Sequence, residues 1–253
     1  MRNVNHSGEA VPTEADGPAQ TRVWVALAAA GSALVLGALV FIVGEAVAAQ
    51  AWPAPGYSYG NNFISDLGDP QCGPYDGRVV CSPMHWLMNG AFVVQGLLLG
   101  CAVWLAGRAL SGRSRAAVRW VGGVTAAGFV LTGVVHSSPE ATENGTLWLH
   151  YLGATQAILG GNATAILVGR QWRRLRVPAV VGSGSVILGT LGIVAALTWL
   201  ATFGVAPPGV LERIAAYAFV LWQVIFGGLL LHVTQPVRLL LRRSPGREAG
   251  KTP

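Results

Sequence analysis

The stretch YSYGNNFISDLGDPQCGPYDGRVVCSPMH, residues 57–85, lies between two long apolar runs and differs from both. We call it the polar loop. It holds three of the eleven acidic residues and two of the three cysteines of the chain, namely Asp66, Asp69, Asp76, Cys72 and Cys81. Since the flanking sequence is apolar or basic, we expect any chemistry of this protein to lie in or near the polar loop.

The composition is that of a membrane protein. Hydrophobic residues make up 52% of the chain and charged residues only 11%, whereas soluble domains carry about 25% charged residues. Apolar runs of about 20 residues, each long enough to cross a bilayer, recur along the chain. We predict an all-α fold, a six-helix transmembrane bundle. The predicted spans are residues 23–49, 84–106, 120–135, 147–168, 177–203 and 214–233.

The chain divides into a membrane domain and two tails. Residues 1–21 are polar without an apolar period, so they are predicted to be a disordered cytoplasmic tail. Residues 22–236 form the six-span membrane domain, and residues 237–253 form a basic cytoplasmic tail. The first apolar run exceeds the roughly 7–15 residues of a secretory signal. A retained helix is therefore the favoured interpretation, with cleavage after the small residues 46–49 as the alternative.

The basic residues predict the orientation of the bundle. Of the 17 Lys and Arg residues, all but Arg78 and Arg213 fall in the tails or in the connections between spans 2 and 3 and between spans 4 and 5. The positive-inside rule then places both termini in the cytoplasm and the polar loop outside it. The net charge of +6 follows this topology and suits anionic lipid headgroups, so no nucleic-acid partner is predicted.

The two cysteines of the polar loop are predicted to form a disulfide. Cys72 and Cys81 are nine residues apart and are flanked by glycine and proline. An oxidising compartment outside the cytoplasm favours their pairing. Two free thiols in the loop are the alternative.

Three histidines, each near the same end of a different span, are the candidate metal ligands. His85 begins span 2, His136 follows span 3 and His150 lies near the start of span 4, while Asp66 lies in the loop above them. Imidazoles and carboxylates are the usual ligands of zinc, and a bound metal acidifies a water molecule. We predict that these four residues hold Zn²⁺ or another divalent metal.

Carboxylates and amides near these histidines complete the predicted site. Glu45 lies inside span 1, where an ionisable group is by default a functional candidate. With Glu140 and Asp66 it is predicted to be catalytic, and either Glu45 or Glu140 would move the proton. Polar groups are predicted to bind the substrate headgroup, namely Asn61, Asn62, Ser82 and Asn89. The competing interpretation is that all these groups merely hydrogen-bond loops and helix ends, in which case no cofactor is needed.

Four segments carry a resemblance to a known family, namely YSYGNNFISDLG, CSPMHWLMNGAF, GVVHSSPEATENGTLWLH and PPGVLERI, and most of the likeness lies in Asn62, Ser65, Asp66, Leu67 and Gly68. They are similar to the pattern of the domain-of-unknown-function 998 family of bacterial and archaeal multi-pass membrane proteins. The resemblance covers about residues 22–240 and implies a six-helix protein of a prokaryotic plasma membrane. It implies no agreed activity, and the cysteine pair and the PEATENGT segment fall outside the pattern.

Two classes of function stay open. One is an enzyme that acts at the outer leaflet on a lipid or lipid-linked substrate, for example a metal-dependent hydrolase. The other is a non-catalytic transporter, partner subunit or sensor whose outer polar cluster is structural or binds a ligand. The chain has no HExxH, GxSxG, P-loop or dinucleotide motif. Its acidic residues gather at one face, whereas transporters place such groups near the midplane, and this favours the enzyme. Membrane lipid is the partner in both classes, and the oligomeric state stays open.

Overall fold

The computed structural model of this chain describes residues 18–202 and 207–243. Within them, the long helices are α1 (Pro18–Gln50), α2 (His85–Ala106), α3 (Gly112–Val134), α5 (Leu147–Gly169), α6 (Ala179–Ala201) and α7 (Pro208–Arg243), and α4 (Pro139–Glu143) is one short turn. Six helices are long and apolar enough to cross a membrane. The prediction of a helical fold with six candidate membrane helices is confirmed in these residues. Residues 1–17 and 244–253, most of the two predicted tails, lie outside the described residues.

The six long helices form a closed ring in chain order. Each packs against the next, α7 packs against α1, and α5 also contacts α7. The interior is aromatic, with Phe129 and Phe219 rings 6.1 Å apart and Phe219 and Trp222 rings 5.5 Å apart, both pairs stacked. Closing the ring lets each helix bury one face inside while its opposite face meets the membrane.

The outer surface of the ring suits lipid. Leucine, isoleucine and valine side chains are widely exposed along the helices. Trp86 and Trp148, at the starts of α2 and α5, and Trp104, near the end of α2, are each more than half exposed. Tryptophan is enriched where a membrane meets water, so exposed rings near both ends of an apolar belt fit a multi-pass membrane protein.

The polar loop folds as a tight turn followed by a small hairpin. Ser65–Gly68 form a 3-10 turn, and β1 (Gly73–Tyr75) pairs antiparallel with β2 (Arg78–Val80). Asp76 and Gly77 turn the hairpin with positive φ angles of 47° and 75°, the conformation that favours an Asp-Gly pair in a two-residue turn. The predicted disulfide between Cys72 and Cys81 is confirmed.

Three connections meet at one end of the bundle, which we call the loop end. The Gln71 side chain accepts from the Glu140 backbone N–H at 3.1 Å, and the Gly60 carbonyl accepts from the Gly209 N–H at 3.0 Å. At the opposite end, the arginine end, the Arg174 guanidinium donates to the Ser114 hydroxyl at 3.0 Å. The acidic and basic parts of the sequence therefore occupy opposite ends of the ring.

Three helix boundaries differ from the predicted spans. Helix α1 begins at Pro18, helix α3 at Gly112 rather than residue 120, and helix α7 at Pro208 rather than residue 214. Arginine is a good helix former, and the Arg119 guanidinium lies 4.0 Å from the centre of the Trp104 ring, so charged residues extend α3. Proline is tolerated in a first helical turn. Helix α7 also continues past residue 236, the predicted end of the membrane domain.

Candidate functional site

A buried ion pair joins the first and last helices at the loop end. Arg213 on α7 contacts Glu45 Oε1 through Nη2 at 3.0 Å and Nε at 3.1 Å. The Glu45 residue is 1% exposed, and its Oε2 accepts from the Tyr217 hydroxyl at 2.7 Å. Since both carboxylate oxygens are engaged, the charge of Glu45 is balanced where no water reaches it. Its predicted catalytic role is not tested by this arrangement.

Arg213 also clamps the polar loop to helix α7. Its Nη1 donates to the carbonyls of Tyr59 at 2.7 Å, Asn62 at 2.9 Å and Gly209 at 3.0 Å, and its Nη2 donates to the Tyr57 hydroxyl. Burial raises the pKa of Tyr57 above its usual value, so this hydroxyl stays protonated at neutral pH. The Arg213 guanidinium thus holds the polar loop at the loop end of the ring.

Asp66 is the centre of a second network, within the polar loop itself. This residue is 1% exposed, and Arg78 contacts it with two nitrogens, Nε to Oδ2 and Nη2 to Oδ1, each at 3.1 Å. Asp66 Oδ2 also accepts from the Asn62 side chain at 3.1 Å and from the Phe63 N–H at 3.0 Å. Asp66 would have to leave these partners to bind a metal or to take part in catalysis, the roles that the sequence predicts for it.

Two of the three candidate histidine ligands, His85 and His150, contact backbone carbonyls of different segments. His85 Nδ1 lies 3.1 Å from the Ser82 carbonyl, and His150 Nδ1 lies 2.7 Å from the Val135 carbonyl. Burial, and next the charge of His85, lower the pKa of His136. Across residues 18–202 and 207–243, no three His, Cys, Asp or Glu side chains form a group that could hold a metal. The predicted Zn²⁺ or other divalent-metal site gains no support here and stays a prediction.

The predicted substrate-binding residues hydrogen-bond the polar loop. Ser82 donates to the Leu67 carbonyl at 2.7 Å, and Asn89 donates to the Gly68 carbonyl at 2.8 Å. Asn61 is exposed and donates to the Ser58 hydroxyl at 3.2 Å. Asn62 is buried against Asp66, as described above. These contacts build the loop, and a role in binding substrate stays a prediction.

The remaining predicted catalytic residue, Glu140, lies apart from the buried networks. It is exposed on the short helix α4, which begins after Ser138, whose hydroxyl accepts from the Ala141 N–H at 3.2 Å. Exposure leaves the Glu140 carboxylate free to meet solvent at the loop end. It does not line the cavity described next.

A small cavity lies inside the ring at the loop end, beneath the polar loop. Its volume is about 40 Å³, which is enough for a few water molecules. Four phenylalanines from four helices form much of its wall, namely Phe41, Phe92, Phe129 and Phe219. Ile64 and Ser65 of the polar loop also line it, and its ionisable groups are His150 and Glu212.

The two ionisable groups of the cavity are buried and fixed in orientation. A carbonyl oxygen only accepts, so His150 Nδ1 must carry the hydrogen that is donated to Val135. In the neutral imidazole, Nε2 is then an acceptor. Glu212 Oε2 accepts from the Ile64 N–H at 2.6 Å. An imidazole base and a carboxyl that line one mostly apolar cavity are suited to acid–base chemistry.

Sequence reasoning missed several of these residues. Glu212 was not assigned to the predicted site, and Arg78 and Arg213 were used only to judge topology. The signal for Glu212 and Arg213 was their position in PPGVLERI, at the start of an apolar run. An ionisable group in a membrane helix costs free energy and is by default a functional candidate. His150, in contrast, was predicted, although as a metal ligand.

Comparison with known proteins identifies a family but no activity. The family described as "Protein of unknown function (DUF998)" matches residues 35–228 of the chain. No curated protein and no protein of solved structure matches this chain. The match covers the helices and the loops that build the cavity, so these features lie within the part of the chain that defines the family.

Proposed function

We propose that this chain, which belongs to the DUF998 family, is a membrane enzyme that hydrolyses a lipid or lipid-linked substrate at the leaflet facing the loop end. The observation that carries the proposal is the cavity at that end, which is lined by His150 and Glu212 and otherwise mostly by apolar side chains. The acidic groups of the described residues and three of their four histidines are grouped there, while the arginine end is basic. The positive-inside rule places this leaflet outside the cytoplasm.

His150 would act as the base. Its Nε2 takes a proton from a water molecule as the water oxygen bonds to the acyl or phosphoryl centre of the substrate. The proton then passes to the oxygen of the leaving group as the ester bond breaks, so that each turnover returns the imidazole to its neutral form. The Val135 carbonyl holds the ring through Nδ1 at 2.7 Å and keeps Nε2 available, as an orienting partner does in acid–base sites. Glu212 would orient the water.

The apolar surroundings support a lipid as the substrate. The cavity holds only a few water molecules, so just the reacting group of a lipid would enter it. An apolar groove of about 430 Å³ runs between α1 and α2 near the same end, lined by residues that include Val43, Gly44, Trp86 and Gly90. An acyl chain fits such a groove. Phe41 and Phe92 line the cavity from these same two helices, so they are the side chains that would move to admit the reacting group.

The second candidate is a non-catalytic protein in which the loop end is a rigid structural or ligand-binding cap. One observation favours it. Glu45 and Asp66 are both buried and ion-paired with arginines, as expected of groups that stabilise a fold. In that case the cavity would hold only water, and its histidine would hydrogen-bond the helices without taking part in a reaction.

The test is lipid turnover by the purified protein in nanodiscs that contain a total bacterial lipid extract, with products followed by mass spectrometry. The decisive variant is His150→Asn, because the asparagine amide retains a donor near the position of Nδ1 but has no group at Nε2. We expect it to lose turnover while its melting temperature stays near that of the wild type. Glu212→Gln should also reduce turnover.

The matched control is His232→Asn, which changes an exposed histidine near the arginine end of α7 and should keep full turnover. The same preparations are analysed for bound metal. If the wild type contains zinc and each of the variants His85→Ala, His136→Ala and His150→Ala loses it, the result would support the metal-dependent form of the reaction. Absence of turnover by the wild-type protein, or equal turnover by His150→Asn, would reject the enzyme and favour the structural cap.

A further inference from the structure

A second cavity opens at the arginine end, away from the candidate active site. It has a volume of about 190 Å³. Three arginines from two connections line it, namely Arg108 between α2 and α3 and Arg174 and Arg176 between α5 and α6. Helix α1 contributes an apolar wall that includes Trp24, Val23 and Leu27. The cavity therefore combines a cluster of positive charge with an apolar side at the end of a membrane helix.

The positive charge of this cavity is not balanced by the described protein. Within residues 18–202 and 207–243, every Asp and Glu lies at the loop end. The ion pairs found in that part of the chain involve only Arg78 and Arg213. Three guanidinium groups that share one cavity repel each other, and an anion placed among them would relieve that repulsion.

Two of the three arginines are held in place by neighbouring groups. Arg174 donates to the Ser114 hydroxyl at 3.0 Å. The Arg176 guanidinium lies 5.1 Å from the centre of the Trp24 ring, a cation–π contact. Arg176 also has a φ of 57°, a left-handed conformation that is unfavourable for a residue with a side chain and is retained only where other contacts compensate.

We propose that this cavity binds the phosphate group of an anionic phospholipid. Guanidinium groups donate paired hydrogen bonds to phosphate oxygens, and basic pockets between membrane helices are suited to lipid headgroups. The Trp24, Val23 and Leu27 side chains provide an apolar surface for the glycerol and the first carbons of the acyl chains. A free phosphate compound offers the same chemistry without the apolar part. The site does not rest on the proposed hydrolysis at the loop end.

The experiment measures binding of short-chain phosphatidylglycerol to the full-length protein in a neutral detergent, by titration calorimetry. The test variant is Arg108→Gln, Arg174→Gln, Arg176→Gln. The matched control removes three exposed arginines at the same end that do not line the cavity, as Arg113→Gln, Arg170→Gln, Arg173→Gln. We expect the test variant to bind at least about tenfold more weakly and the control to change by no more than about threefold.

Two further probes separate the possible ligands. Phosphatidylcholine of the same chain length carries no net charge, and inorganic phosphate carries no apolar part. Weak binding of both probes supports an anionic phospholipid. Inorganic phosphate that binds as well as phosphatidylglycerol, with the same loss in the test variant, would retain the phosphate site but assign it to a free phosphate compound.

Three results would overturn the proposal. They are absence of phosphatidylglycerol binding by the wild type, equal weakening by the two triple variants, and phosphatidylcholine binding as strong as that of phosphatidylglycerol. If the test variant fails to fold, Arg108→Gln replaces it, because the described structure shows no hydrogen bond or aromatic contact of the Arg108 side chain that folding would lose. This single change should weaken binding by about threefold, and unchanged binding would again overturn the proposal.

Discussion

Arg78 and Arg213 are the two basic residues that the sequence places apart from the basic tails and connections, and each one meets a buried carboxylate at the loop end. Arg78 pairs with Asp66, and Arg213 pairs with Glu45. Removing one partner of a buried ion pair costs about 3–5 kcal/mol because the other charge stays buried without compensation. The stability of the loop end therefore depends on having both partners of each ion pair present.

Arg213→Lys should destabilise the protein although it keeps the charge. Lysine has three donors on one nitrogen, whereas the Arg213 guanidinium reaches Glu45, three backbone carbonyls and the Tyr57 hydroxyl at once. Several charged hydrogen bonds would be lost, so we expect the free energy of unfolding to fall by at least about 2 kcal/mol. Thermal unfolding in detergent measures this. Arg113→Lys, at an exposed position of the arginine end, is the control and should melt like the wild type.

Asp69 should make stability depend on pH. Burial raises the pKa of Asp69 to about 6, and the nearby charge of Asp66 adds to the rise, while an unfolded aspartate has a pKa of about 4. Between these values the folded state holds more protons than the unfolded state, so stability falls as the pH rises from about 4 to about 6. Asp69 Oδ2 has no hydrogen-bond partner among the described residues, and an amide in place of this carboxylate would remove the buried charge.

Asp69→Asn should therefore stabilise the protein above pH 6 by up to about 2–3 kcal/mol and have little effect near pH 4. Melting temperatures of variant and wild type, compared from pH 4 to pH 8, provide the measurement. Glu143→Gln, an exposed carboxylate on helix α4, should show no such trend. A difference between Asp69→Asn and wild type that is constant across the whole pH range would contradict the buried-charge explanation.

Residue contacts that are local in sequence could be predicted, and those across the bundle could not. The disulfide joins cysteines nine residues apart, so spacing and compartment were enough to predict it. Arg213 and Glu45 are 168 residues apart, and nothing in their local sequence encodes the contact. For the same reason, three histidines at similar depth looked alike in sequence, although only His150 lines the cavity at the loop end.

Between elements, helix packing depends on glycines that let backbones approach. A Cβ atom added at Gly128 on α3 would lie 2.7 Å from the Gly153 carbonyl oxygen and 2.8 Å from the Ala157 nitrogen on α5. Both are backbone atoms that cannot move aside singly. Gly123→Ala is a matched control on the same helix, because a Cβ there meets no described atom within 4 Å.

Gly128→Ala should lower the free energy of unfolding by about 1–3 kcal/mol, the usual cost of overpacking. Gly123→Ala should be neutral or slightly stabilising, because alanine is the better helix former by about 1 kcal/mol. Thermal unfolding of both variants in the same detergent tests the pair. Equal melting temperatures would show that α3 and α5 can separate without loss, contrary to the packing seen here.

The six helices could be predicted as elements, but the starts of α1, α3 and α7 could not. About twenty apolar residues are a sufficient signal for a membrane helix, so each predicted span lies largely within an observed helix. The ends depend on whether charged residues find partners. Helix α7 begins at Pro208 because Glu212 and Arg213 are both hydrogen-bonded by other parts of the fold, and that information is not in the local sequence.

In the whole molecule, the two ends of the ring differ in charge and in structure. The loop end is covered by a disulfide-closed loop that Arg213 and Asp66 hold in place, and the candidate active site lies beneath it. The arginine end carries exposed positive charge and the proposed phosphate site. Because the two sites lie at opposite ends of the same helices, they would face opposite leaflets, and the orientation of the chain decides which leaflet supplies each ligand.

That orientation is the last prediction. The basic residues of the arginine end predict that this end lies in the cytoplasm, because positive charge near membrane helices is retained on that side. Six spans would then put both termini there. An enzyme reporter that is active only outside the cytoplasm should be silent when fused after Lys251. It should be active when inserted at Gly145, an exposed turn with a φ of 73° between α4 and α5.

A second reporter, active only inside the cytoplasm, should give the opposite result at both positions, and this controls for fusions that fail to fold. The reverse pattern would put the disulfide in a reducing compartment, where such bonds rarely persist. It would also move the proposed hydrolysis to the inner leaflet and the phosphate site to the outer one. The orientation of the chain, the compartment of the disulfide and the distribution of charge therefore depend on one another. We expect both reporters to place the loop end, with its confirmed disulfide, outside the cytoplasm.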